Sequence, residues 1–188
     1  WFTQGITLTP FSGLTIKSDF SYNSYHRDYQ DAASKVEVVS TDLNDEPILS
    51  NGYSGDDYIE NTSRYNQYYA FNVYGEYTFD KSKSHYLKVT AGFNQEWGRY
   101  TSIGAIAKSL ITPGVTDLTA TNGVQQTSGG KSEVSLRRLF YRLNYSYKDK
   151  YLLESNGRYD GTSRFPQDSR FGFFPSVAVA WRISKEGF

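Results

Sequence analysis

Cysteine is absent from these 188 residues, so neither a disulfide framework nor a thiolate metal site is available to the fold. No run of about eighteen uncharged apolar residues occurs, which excludes a transmembrane helix and a signal-peptide core but leaves membrane-crossing strands open. Neither sign of charge is in excess. The 20 Lys and Arg cancel the 20 Asp and Glu, which argues against a nucleic-acid partner held by a general basic field. The sequence also lacks a Gly-rich phosphate loop, an H-E-x-x-H and a G-x-S-x-G. Its two histidines, His26 and His85, stand far apart and each reads as a rim residue. No catalytic residue is nominated, and the chain is not expected to be an enzyme or to hold a cofactor. It opens on Trp1 rather than an initiator residue and carries no targeting segment, so a fragment of a longer protein is expected.

Apolar residues are few but ordered. Mean hydropathy is −0.61 and 38% of residues are hydrophobic, yet 17% are aromatic, led by 17 tyrosines. In the stretch "RFGFFPSVAVAWRIS", Phe171, Phe173, Pro175, Val177, Val179, Trp181 and Ile183 share one parity. Gly172, Phe174, Ser176, Ala178, Ala180, Arg182 and Ser184 share the other. Successive side chains of a strand point to opposite faces, so this alternation predicts a strand with one apolar face.

The same pattern recurs along the chain. Strands are expected over Phe2 to Phe11 and from Leu14 to about Tyr29, joined by a tight Ser12-Gly13 turn. A long polar loop from about Gln30 to Ser63 follows, with a short extra strand possible at Lys35 to Val39. Further strands are expected near Arg64 to Phe79, His85 to Arg99, Glu133 to Tyr147, Tyr151 to Tyr159, and over the stretch quoted above. Between the fourth and fifth, Tyr100 to Lys131 reads as a second long loop, in which "SIGAIAKSLI" could form one or two helical turns.

Seven antiparallel strands with short turns at one end and long loops at the other fit an outer-membrane barrel. Strands of such barrels need about nine to eleven residues to cross the hydrocarbon, alternate apolar-out with polar-in, and end in aromatic girdles. Trp97, Tyr100, Tyr147, Tyr151 and Trp181 are the girdle candidates. A soluble sandwich or lipocalin-like barrel would give the same alternation with the apolar face buried inside. Loop lengths, aromatic content and expected strands of about fifteen residues, against about five or six in soluble sheets, favour the membrane.

The last third of the chain carries a resemblance. Arg142 to Leu153 reads R-x-N-Y-S-Y-x-D-K-Y-L-L, Arg158 to Phe165 reads R-x-D-G-T-S-R-F, and Arg170 to Ser184 reads R-F-G-x-F-P-S-V-x-x-x-W-R-I-S. These three blocks, at these separations, resemble the barrel of the SusC/RagA type of TonB-linked outer-membrane transporter. Pro166 and Gln167 stand where that family carries small residues. Residues 1–130 agree in style, as in "GLTIKSDFSY" at Gly13 to Tyr22, but hold no diagnostic motif. The resemblance implies an all-β antiparallel transmembrane β-barrel segment, about seven strands of a barrel of about twenty-two, with short periplasmic turns and long extracellular loops. Residues 1–188 would belong to that one barrel domain, with the plug, the TonB box and the remaining strands outside this chain. It implies energy-coupled import of a glycan, or for some members a peptide, across a Gram-negative outer membrane. The implied partners are the lipid bilayer, the rest of the barrel and its plug, a SusD-like lipoprotein lid and TonB. A non-transporting barrel, an adhesin or assembly factor, and a soluble β-domain remain as alternatives.

Candidate site residues fall into three groups. Tyr53, Tyr58, Trp97 and Tyr100 lie on or beside the long loops, where aromatic faces could stack on sugars, or else serve as girdle and lid packing. Within the family blocks, Arg158, Asp160, Gly161, Arg164, Phe165, Arg170, Pro175, Trp181 and Arg182 read as structural, because the family keeps the phrase across cargoes. Asp42, Asp45 and Glu46, and then Asp56, Asp57 and Glu60, could offer oxygen ligands to calcium, which takes six to eight. Their spacing fits no EF-hand, and a solvated loop is the plainer reading.

Overall fold

A computed structural model describes residues 1–35, 37–42, 44, 46–51, 57–80, 82 and 84–187. Seven of the nine strands among the described residues form one antiparallel sheet, and their spans include the alternating stretches that the sequence carries. These are β1 (Phe2–Phe11), β2 (Leu14–Ala33), β5 (Tyr58–Phe79), β6 (His85–Lys108), β7 (Gln125–Tyr147), β8 (Tyr151–Thr162) and β9 (Phe171–Trp181), hydrogen-bonded in that order. Strands β3 (Glu37–Thr41) and β4 (Pro47–Asn51) make a separate two-stranded sheet.

Several sequence expectations are corrected. β5 starts at Tyr58 rather than Arg64, β7 starts at Gln125 rather than Glu133, and β6 runs on to Lys108 instead of ending at Arg99. The supposed helical turns at Ser102 to Ile111 are therefore mostly strand. Their small residues are required by close neighbours: a Cβ on Gly104 would press on the Ser128 and Thr62 hydroxyls. Ladder pairing on both sides overrides a composition that suits a helix equally well. Beyond β6 the chain stays paired, with Ile111 N–H donating to the Ala120 carbonyl at 3.0 Å and Leu110 bridging Thr121. Ile183, expected to continue the last strand, instead begins a 3₁₀ turn, Ile183–Lys185.

Turn chemistry fixes the short connections. Gly13 has φ +90°, and its backbone lies so close to Thr78 that a Cβ would collide with that carbonyl. Lys148 and Asp149 take φ 50° and 56°, and Lys150 N–H closes the turn on the Tyr147 carbonyl at 3.0 Å. Two successive residues with positive φ match the right-handed twist of the strands they join. Pro175 sits inside β9 without breaking its ladder. Thr162 N–H bonds the Arg170 carbonyl and Arg182 N–H the Lys150 carbonyl, which places the hydrogen bonds at even-numbered pairs. Pro175 faces Gly157 in the other set, so the N–H it lacks would have pointed away from β8.

The chain forms two compact units, Trp1–Ser24 with Gln67–Arg99 and Glu133–Phe188, and Tyr25–Asn66 with Tyr100–Ser132. In the first, registers align one apolar face across strands: Leu8 with Ile16, Tyr145 with Leu153, and Leu153 with Val179. That face is bare. Val179 is 79% exposed, Val177 67% and Phe173 56%. Among the described residues only Ile59, Ala70 and Ala107 are buried apolar side chains, so the sheet encloses no core of its own.

Candidate functional site

The two faces of the first unit differ in chemistry, and each is organised laterally. On the apolar face, rings stack from strand to strand at the turn end. His85 lies 5.0 Å from Tyr147, Tyr147 is stacked on Tyr151 at 6.4 Å, and Tyr151 on Trp181 at 6.5 Å. Towards the loop end a second row runs Phe20, Tyr69 and Trp97, at 6.3 and 5.4 Å, and Tyr159 stacks on Phe171 at 5.2 Å. Offset stacking on this scale is favourable for aromatic pairs. Two glycines accept such rings: the Tyr141 ring covers Gly157 and the Phe171 ring covers Gly161, where any Cβ would clash.

On the opposite face a hydrogen-bonded chain crosses four strands. Asn72 donates to Asp19 (2.5 Å), Asn94 donates to Asn72 (2.6 Å), and Arg138 Nη1 donates to Asn94 Oδ1 (2.9 Å). The same Arg138 nitrogen pairs with Glu96, whose other oxygen accepts the Tyr68 hydroxyl at 3.0 Å. Lys88 pairs with Glu76 at 3.0 Å, and Arg142 donates to Asn156, which donates to Glu154. The sequence places these residues on the polar parity, but their links depend on register between strands distant in sequence. Phe140 also points to this face, covering Gly92. Such a surface offers polar matter charge-assisted hydrogen bonds; among the described residues it pairs no nucleophile with a base.

Each described aromatic candidate has its own setting. Tyr58 donates to Asp31 Oδ2 at 2.9 Å. Trp97 belongs to the aromatic row and carries the Arg99 guanidinium over its ring at 4.9 Å. Tyr100 falls on the other parity of β6, and Tyr53 lies outside the described residues. Three of the acidic candidates, Asp42, Asp57 and Glu60, accept hydrogen bonds. Asp42 Oδ1 accepts the backbone N–H groups of Asn44 (2.7 Å) and Glu46 (2.9 Å) in the β3–β4 turn. Those amides, Glu46 foremost, hold its carboxyl below the usual carboxylate range. Asp57 Oδ2 accepts Leu110 N–H at 2.9 Å, and Glu60 accepts the Thr62 hydroxyl at 3.3 Å. Among the described residues no group of three His, Asp or Glu could hold a metal, while Asp45 and Asp56 lie outside them. His26 hydrogen-bonds Ser63 (3.0 Å) and approaches Asp28 (3.2 Å) through the same Nε2, so the three do not form a relay.

No family model matches the chain. Three similarities do place it. It is 51% identical over 49 residues to "TonB-dependent receptor SusC" of Bacteroides thetaiotaomicron, which covers 26% of this chain and 5% of that protein. It is 27% identical over 180 residues, 94% of the chain, to "TonB-dependent receptor P39" of Formosa agariphila, covering 16% of it. The sheet superposes on a chain of the RagAB peptide transporter with a TM-score of 0.81, at 18% identity, over 98% of this chain and 20% of that one. The resemblance is to SusC/RagA-type TonB-dependent transporters. The chain spans between 5% and 16% of the curated relatives it matches.

The residues of the SusC/RagA-type blocks run from the end of β7 through the β8–β9 hairpin to the turn after β9. Arg158 pairs with Asp160, and Arg164 N–H donates to Thr162 Oγ1 at 3.3 Å. Arg170 Nε donates to the Phe165 carbonyl at 3.1 Å, which ties the two ends of the loop. At the turn end Arg182 and Lys185 both pair with Asp149, the latter at 2.9 Å. Glu186 accepts Lys150 Nζ (2.8 Å), the Tyr151 hydroxyl (3.1 Å) and Trp181 Nε1 (3.1 Å).

Proposed function

We propose that this chain is the membrane-spanning part of a TonB-dependent outer-membrane importer of nutrient oligomers, a glycan or a peptide, and that it acts with a SusD-like surface lipoprotein. The observation that carries the reading is the bare apolar face bounded by two aromatic rows. From Phe171 to Trp181 a strand rising about 3.4 Å per residue covers roughly 34 Å. At the ~40° tilt of membrane barrels that is about 25 Å along the normal, the height of their apolar band. Lipid then covers the apolar face, and the Asp19 to Arg138 chain faces the lumen, where it receives a plug or passing cargo. Residues 1–188 form part of one barrel domain, and the plug, TonB box and remaining strands belong to the intact protein. The turn end is periplasmic and the loop end external. Similarity to proteins named SusC and RagAB supports the transport class.

Uptake of fluorescent oligosaccharides and peptides by cells with and without the gene tests this. Uptake should require the protein and TonB and should stop when the proton gradient is collapsed. Uptake that persists without TonB would refute the proposal.

A further inference from the structure

A groove of about 270 Å³ opens where β8 and β9 reach their loop end beside the middle of β6 and β7, lined among others by Gln95, Arg137, Gly161, Ser163, Arg170 and Phe171. Gln95, Arg137, Gly161 and Phe171 belong to the apolar parity, and Arg137 stands directly opposite Gly161. Arg137 is exposed, and among the described residues no ion pair or side-chain hydrogen bond engages it. The neighbouring Arg99 is neutralised by Glu133 at 2.7 Å, whereas no carboxylate lines the groove among those residues. An unpaired guanidinium on a lipid-facing surface is costly at the bilayer midplane and nearly free at its interface. Arg137 is level with the stacked Tyr159 and Phe171, which the outer-membrane reading above puts at the interface. Two cations without a counter-charge, beside aromatic rings on the lipid side, complement a phosphate carried on an amphiphile.

We infer that this groove binds the phosphorylated head group of a glycolipid of the outer leaflet. Arg137 supplies the bidentate guanidinium contact. Arg170 adds a second charge while its Nε holds the Phe165 carbonyl, and the Tyr159–Phe171 pair packs against the lipid body. The inference rests on the outer-membrane reading above, with the loop end outward.

Native mass spectrometry of the intact protein in detergent, titrated with bisphosphorylated lipid A and with enzymatically dephosphorylated lipid A, tests it. The wild type should retain the phosphorylated form preferentially. Arg137→Glu should weaken that binding about tenfold or more, and Arg137→Lys much less. Binding of the dephosphorylated lipid should be the same in all three. Because Arg137 has no partner among the described residues, heat-modifiable migration on gels should report all variants as folded. Equal retention of the two lipids by the wild type, or unchanged binding by Arg137→Glu, would overturn the inference. Orientation is read separately, by labelling an Arg137→Cys variant on whole cells. Failure to label from outside would count against the outer-membrane orientation, while the detergent titration would still judge the groove.

Discussion

Leu143 and Asn144 are adjacent in β7 yet belong to different surroundings. Leu143 pairs with Ser155 on the apolar face and Asn144 with Glu154 on the polar one. Leu143→Arg would put a guanidinium into hydrocarbon and should cost about 2–4 kcal/mol in a barrel of this kind. Asn144→Arg would bring the same group beside the Glu154 carboxylate and should cost markedly less. Denaturant titration of the intact protein folded into liposomes measures both changes, and equal losses would mean that the apolar face packs inward. Glycine choices follow the same one-residue logic. Gly157 and Gly161 are legible in the sequence as interruptions of the apolar parity, but their reason, an aromatic ring from the next strand lying across each, appears only in the register.

The β7–β8 turn and the end of β9 form one electrostatic unit built from residues far apart in sequence. Lys150, Tyr151 and Trp181 converge on Glu186, and Arg182 and Lys185 on Asp149. The Lys150 ammonium, followed by the Trp181 indole, holds the Glu186 carboxyl below its usual range. A carboxylate with a depressed pKa adds stability that is full above its unfolded value, about 4.3, and is lost as pH falls through the lower folded value. Glu186→Gln should therefore destabilise the intact protein at pH 7, and the difference from wild type should shrink as pH falls below about 4. Denaturation midpoints of both proteins at pH 7 and pH 3 check this; a difference independent of pH would show that Glu186 acts through shape alone. The element ends were harder to read than the elements. β6 and β7 exceed the expected spans because their distal halves, rich in Ser, Gly and Ala, take strand form only by pairing with each other and with β5.

At the scale of the molecule, a sheet that buries only Ile59, Ala70 and Ala107 as apolar side chains among its described residues gains little by folding in water. Two edges, β1 and β9, present unpaired backbone groups, which lipid cannot satisfy. The intact protein should therefore supply neighbours to both edges, sediment with outer membranes and require detergent for extraction. Recovery in a soluble periplasmic fraction would contradict the membrane reading of the apolar face.

Alternation alone determined that this chain makes long strands with one apolar and one polar face, because a period of two survives in sequence whatever lies beside the strand. The blocks from Arg142 to Ser184 determined the likeness to a transporter family. Only the tertiary structure decided which residues on each face meet. The Asp19 to Arg138 chain, the Tyr147–Tyr151–Trp181 stack and the Arg137 groove all depend on register between separate strands. Register is fixed by pairing across turns and loops, and a one-residue slip would exchange the two faces of a whole strand.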